Sequence, residues 1–264
     1  MFKIFKQKQD GEKTQTPEEE PKSRREVIVE EAKFFAGLAV FLLLFFNFVF
    51  GHFKIPSESM QPTLEVGDHL FVSKLTYGAS RESLVWPLRK LPLPDGRIFA
   101  KQPKRGDVIV FRNPKSGIIM IKRLVGLPGD KIQTEHGRLY VNGELIVRTE
   151  QETFSYREHR EPRLVQEIVK YEEQFDGEKN PHRIYERNDF YPLDNRGPFI
   201  IPEGKLFFMG DNRDNSEDSR AQNGPGFVPF DHVIGKAKMM VYSLKRCEKE
   251  EGLRCPPRRW FLKL

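Results

Sequence analysis

Apolar and polar positions follow three regimes along the 264-residue chain. Residues 1 to 25 are rich in Lys, Glu, Gln, Thr and Pro, too poor in apolar surface to order themselves, and predict a disordered tail. From Phe34 to Phe50 the chain is almost unbrokenly apolar, with Asn47 its one strongly polar residue. As a helix this run rises about 26 Å, close to the roughly 30 Å of bilayer hydrocarbon, and Gly51 to Phe53 can extend it. A long polar stretch precedes the run and no small-x-small cleavage site follows it, so the pattern predicts a retained anchor rather than a cleaved signal peptide. Lys22, Arg24, Arg25 and Lys33 precede the run, whereas only Lys54 follows it closely. That asymmetry puts the N-terminus in the cytoplasm and everything beyond about His52 outside it.

Beyond His52 the chain reads as strands and turns. Asp107 to Phe111, Ile118 to Val125, Lys205 to Met209 and His232 to Leu244 read as strands. Lys131 to Thr134 and Arg138 to Val141 read as a hairpin turning at His136-Gly137, and Asn142-Gly143 signals a second tight turn. Residues 79 to 103 read as a long irregular loop. Short strands punctuated by Gly and Pro predict a mainly β protein, an all-β barrel or sandwich behind one transmembrane helix. Residues 145 to 200 are dense in charge and read as an inserted polar subdomain with its own small β-unit. The expected organisation is a tail at 1–33, a membrane helix at 34–52, a β-domain built from 53–144 and 201–264, and the insert at 145–200.

The formal charge of +6 is spread along the chain and mixed with acids, which points to anionic lipid headgroups rather than to nucleic acid. Six histidines fall in no ligand spacing, so no metal and no cofactor is expected. Cys247 and Cys255 carry no metal pattern; in an oxidising compartment they can close a short terminal loop by a disulfide, and otherwise they are ordinary thiols. There is no G-x-S-x-G elbow, no S-x-x-K and no phosphate-binding glycine loop.

What remains is a serine activated by something other than histidine. Ser57 and Ser59 lie between Pro56 and Pro62, seven and nine residues past the apolar run. On the strand from Ile118 to Val125, Lys122 shares its face with Ile118, Met120 and Leu124. Desolvation there lowers an amine's pKa, and a neutral amine can take a proton from a serine hydroxyl. On the strand alone, an edge lysine snorkelling to water is the more ordinary reading. The loop Gly210 to Arg220 shifts the balance, since its acids, amides, hydroxyls and two arginines can make it rigid by internal hydrogen bonds. Its calcium-loop look fails at the sixth position, which holds Ser216 instead of Gly.

Five segments occur in order: Pro56-Ser57-Glu58-Ser59-Met60-Gln61-Pro62-Thr63-Leu64; Gly67-Asp68; Arg105-Gly106-Asp107-Val108; Lys122-Arg123 with Gly126, Pro128, Gly129 and Asp130; and Gly210-Asp211-Asn212-Arg213 with Asn215, Ser216, Asp218, Ser219 and Arg220. Together they resemble the bacterial type I signal peptidases, or leader peptidases. The resemblance implies an all-β extracytoplasmic catalytic domain of coiled antiparallel sheets, anchored in the bacterial inner membrane. It implies a serine endopeptidase that cuts secretory preproteins after small-x-small sites. Ser59 is then the nucleophile and Lys122 the general base. Ser57 lends its hydroxyl to the oxyanion hole, and Ser216 orients Lys122. Asp218, Arg220, Asp211 and Arg123 form a supporting network, and Ile55, Pro56 and Met120 are candidates for the substrate pockets. Glu58 departs from the Gly that many members carry between the two serines. A soluble self-cleaving repressor with a similar Ser–Lys site lacks the anchor and needs a DNA-binding segment; a silent membrane-tethered binding domain does not need Ser59 and Lys122.

Overall fold

Ser23 and Glu26 form a reciprocal cap, with Glu26 N–H donating to Ser23 Oγ at 3.3 Å and Ser23 N–H donating to Glu26 Oε2 at 2.8 Å. That cap starts the helix α1 (Arg24–Phe48), ten residues ahead of the apolar run. The computed structural model describes residues 23–84, 90, 96–159, 161, 163–244, 250–256 and 258–264, with the side chains of 46–48 outside the description. The expected disordered tail thus lies almost wholly outside the described residues, as do most of the prolines of the 79–103 loop. The chain divides into two units, Met1–Leu43 and Leu44–Leu264. In α1 every described side chain as far as Leu44 is exposed, including Phe34, Phe35, Phe41 and Leu43. Glu30, Glu31 and Lys33 lie within it, and among the described residues no helix is long and apolar enough to cross a membrane.

One expectation is corrected immediately after α1. Gly51 to Phe53 do not prolong the helix: Phe50–Lys54 is strand β1, paired antiparallel with β2 (Asp68–Ser73) from Phe50 opposite Ser73 to Lys54 opposite His69. Its phenylalanines find partners across the sheet, Phe50 lying against Phe71. Cross-strand pairing of this kind decides between helix and strand where composition leaves both open. The 79–103 loop carries two short strands, β3 (Ala79–Ser80) and β4 (Arg97–Ile98).

The expected strands follow within a residue or two. They are β5 (Val108–Arg112), β6 (Ile119–Gly126), β7 (Lys131–Glu135) and β8 (Arg138–Val141). At the Asn142-Gly143 turn both residues have positive φ, 56° and 88°, as that tight turn demands, and the chain returns as β9 (Glu144–Leu145). The polar insert then forms a three-stranded antiparallel sheet of β10 (Arg148–Arg157), β11 (Val165–Glu173) and β12 (His182–Glu186). Strand β13 (Arg196–Ile200) returns to pair with β7. Next come β14 (Lys205–Met209), β15 (Val228–Pro229), the long β16 (Val233–Ser243) and β17 (Trp260–Lys263). Cys255 is disulfide-bonded; the sequence's other cysteine, Cys247, lies outside the described residues.

The largest sheet runs β1-β2-β16-β5-β6-β14-β15, with β17 against β16, and curls into a half-barrel. Its neighbours from β1 to β6 are antiparallel, so β1 and β6 point the same way. Among the described residues, β1 and the first half of β6 each have an edge without a partner strand. Strand β1 pairs with β2 alone, and β14 joins β6 only from Arg123 onward, leaving Ile119 to Lys122 bonded on one side.

Two apolar clusters flank this sheet. Ile55, Met60, Leu64, Leu70 and Val110 belong to one, and Ile109, Phe111, Leu124 and Phe208 to the other, where Phe111 and Phe208 stack at 4.3 Å. Each such buried side chain stabilises the fold by about 1.5–3 kcal/mol.

Candidate active site

The serine turn is anchored from below. Ile55 continues the ladder of β1, donating to Asp68 O at 2.9 Å and accepting from Gly67 N–H at 2.8 Å. Met60 and Leu64, both fully buried, fix the far side of the turn in the first cluster. Between these anchors Ser59 is 7% exposed, and its Oγ is hydrogen-bonded to Lys122 Nζ, itself 3% exposed. Ser57 Oγ stands 3.3 Å from Ser59 Oγ.

Lys122 reaches Ser59 from β6, flanked on its face by Leu124 and Met120, which both pack in the second cluster. Burial is the largest influence on its amine and lowers the pKa from 10.5 to about 8; Asp218 and Asp211 pull the other way without cancelling it. The amine is therefore half neutral near pH 8, poised between holding a proton and accepting one.

The loop Gly210 to Arg220 packs behind the serine. Asn212 N–H donates to Ser59 O at 3.2 Å, and Asn212 Nδ2 donates to Glu58 O at 3.3 Å. Gly210 N–H donates to Asp218 Oδ2 at 3.0 Å, while Arg220 Nε and Nη2 hold the two oxygens of Asp218 at 3.0 and 2.9 Å. Arg123 grips Asp211 with two prongs, at 2.7 and 2.6 Å, and Thr63 Oγ1 donates to the same carboxylate. Burial alone would raise the Asp211 and Asp218 carboxyls; Arg123 and Arg220 respectively outweigh it, and both stay ionised below the usual range. A Cβ at Gly210 would stand 2.2 Å from Ser216 Oγ and 2.4 Å from Ser59 O, so only glycine admits this approach.

The structure brings Ser57, Ser59 and Lys122 together, with the ion pairs of Arg123 with Asp211 and of Arg220 with Asp218 on the loop behind them. The expected hydrogen bond from Ser216 to Lys122 is not made. Ser216 is buried beside Gly210, but its Oγ has no partner among the described residues, and Lys122 turns to Ser59 instead. Of the pocket candidates, Ile55 is buried in the first cluster and Pro56 is exposed at the turn, while Met120 packs in the second cluster, across β6 from Ile121. Among the described residues no group of His, Cys, Asp and Glu is placed to hold a metal.

The insert contributes residues that sequence reasoning missed. Arg213 of the loop is fully buried and forks onto Glu173 at the end of β11. His182 of β12 stands between Glu173, at 3.1 Å, and Glu178, at 2.9 Å, and Glu178 lies 3.7 Å from Arg123. Tyr185 N–H donates to Asp211 O, and Arg213 N–H donates to Tyr185 O. Glu58 faces the insert rather than the serines: its Oε1 accepts from His159 N–H at 2.9 Å. The single sequence signal for this clamp was Arg213 itself, a second arginine in a loop expected to be rigid.

A sequence profile described as "Signal peptidase, peptidase S26" matches residues 28–242. Signal peptidase I of Rickettsia canadensis is 40% identical over 82% of this chain and 80% of its own length. Signal peptidase I of Pseudomonas aeruginosa is 37% identical over 81% of this chain and 72% of its own. A crystal structure of a signal peptidase I from Enterococcus faecalis is 28% identical, covering 52% of this chain and 97% of that one, with a TM-score of 0.30 that is too low to speak for the fold.

Proposed function

The chain belongs to the signal peptidase family, peptidase S26, whose members act on preproteins bearing signal peptides, and from that premise we propose how its own residues carry out the cleavage. It is a serine endopeptidase that removes signal peptides. The observation that carries the residue assignment is the buried contact of Lys122 Nζ with Ser59 Oγ. With the amine neutral, Ser59 gives its proton to Lys122 as Oγ attacks the scissile carbonyl. The carbonyl oxygen becomes an anion, for which Ser57 Oγ, 3.3 Å from Ser59 Oγ, and the Ser59 N–H serve as donors; such donors are typically worth about 2.7–4 kcal/mol. Lys122 then protonates the leaving amine, which departs as the new N-terminus of the mature protein. Water, giving its proton to Lys122, attacks the acyl-serine, the carboxylate product leaves, and Ser59 recovers its proton.

The precursor adds as a strand between the open edges of β1 and β6, parallel to both, with small side chains entering shallow spaces near Ile55, Pro56 and Met120. The insert acts as a small β-unit bracing the catalytic loop. The family is membrane-associated in bacteria. The exposed apolar surface of α1 and the run on to Phe50 support anchoring in the cytoplasmic membrane, with the N-terminus cytoplasmic and the β-domain outside.

The test is to incubate the purified protein with a secretory precursor in lipid and sequence the new N-terminus. A cut after a small-x-small site is expected, and Ser59→Ala, Lys122→Ala and Lys122→Arg should each lose it while remaining folded. Cleavage by any of the three sinks the mechanism.

A further inference from the structure

A cavity of about 660 Å³ opens beside β1 and the start of β6, the strand that carries Lys122. Its apolar lining comes from Phe50 and Phe53 of β1, Phe71 of β2, Leu84, Ile119 of β6 and Ile234 of β16. It therefore touches both strands, β1 from Phe50 to Phe53 and β6 at its first residue, Ile119. Lys122 lies three residues further along β6, and Ser59 five residues past the end of β1. We propose that this cavity is a binding subsite for the apolar segment of the precursor upstream of the cut, and that it selects precursors by the side chains they place there; this rests on the cleavage chemistry assigned above.

The register follows from strand geometry. From Lys122 back to Ile119 is three residues, about 10 Å along a strand. A precursor strand parallel to β6 with its last residue before the cut at Lys122 brings its fourth residue upstream to Ile119. The fifth to seventh residues then pass over the cavity. In a signal peptide this is where the small-residue cleavage region gives way to the apolar core of 7–15 residues. Phenylalanine, leucine and isoleucine walls match that core.

The experiment uses the full chain in lipid and two precursors with one cleavage site, carrying leucines or serines at the fifth to seventh positions upstream, together with a short peptide beginning at the fourth. The native enzyme should prefer the leucine precursor by roughly tenfold in kcat/KM, expressed in KM, as for an apolar side chain entering an apolar pocket. Phe71→Ala and Leu84→Asn should reduce that preference to about threefold or less, while cutting the short peptide, which does not reach the cavity, at the native rate. Equal cleavage of both precursors by the native enzyme, or a preference that survives both substitutions, overturns the assignment. So does a preference that survives while activity on vesicles containing anionic lipid falls, which gives the cavity to headgroups. Failure of the native enzyme to cut even the short peptide would instead bring down the catalytic reading, and this one with it.

Discussion

Arg213 of the catalytic loop and Glu173 of the inserted sheet form a two-pronged ion pair with both side chains 2% exposed. The pair ties a loop that carries the site's supporting network to a segment that reads as solvated surface. Burial would raise the Glu173 carboxyl, but Arg213 and His182 outweigh it and bring its pKa down to about 2.

Removing one partner of such a pair leaves a buried charge unmatched, which typically costs about 3–5 kcal/mol. Glu173→Ala should therefore unfold at clearly lower urea than the native protein, and activity should fall with loop order. The folded pKa lies below the ordinary carboxylate value of 4.5. The contribution is thus complete above about pH 4.5 and is lost as pH falls toward 2. Urea midpoints followed from pH 6 to pH 3 should converge for the native protein and the variant.

Lys122 sets a second pH dependence. Its amine must be neutral to accept the Ser59 proton, so kcat/KM should rise with an acid-limb midpoint near pH 8. Stability moves the same way. The amine protonates at about 8 when folded and 10.5 when unfolded, so between these values the unfolded chain binds the extra proton and stability rises with pH. Lys122→Met should be inactive yet more stable than the native protein at pH 7, with the difference narrowing toward pH 10.

Gly210→Ala places a methyl where Ser59 O and Ser216 Oγ already stand. The serine turn has to move, and displacements of about 1 Å at a reacting group can cost about a hundredfold. A loss of that order in kcat, with KM nearly unchanged, is expected; native kcat would contradict the packing described.

Glu58→Gln tests the departure between the two serines. Its carboxylate meets His159 N–H and not the dyad, so kcat should stay within about threefold of native. A larger drop would show that the charge is felt at Ser59.

The strands around Lys122 were legible because they are short runs rich in apolar and β-branched residues, such as Val108 to Phe111, bounded by turn residues. Lys122 became a candidate only beside the serine pair and the loop from Gly210 to Arg220, while Asn142-Gly143 marked its own turn. The switch from α1 to β1 was not legible. Phe50 to Phe53 follow directly on the apolar run, and only pairing with Phe71 and its neighbours, many residues away, makes them a strand. The clamp of the insert was hidden for a related reason. Glu173, Glu178 and His182 sit among charges that look solvated, and nothing local reveals that Arg213 will bury them. Ser216 shows the opposite limit: the motif singled it out, and the hydrogen bond expected of it is not made.

The open edges of β1 and β6 also constrain the shape of whatever enters between them. One extended chain can satisfy backbone groups on both sides, whereas a helix keeps its own amides and carbonyls for itself. A precursor that stays helical through its cut site has nothing to offer either edge. Proline in the residues just before the cut withdraws a donor from the new ladder. On the proposed mode of precursor binding, these two edges act as a conformational sieve, favouring precursors that unwind early, before any side chain is compared.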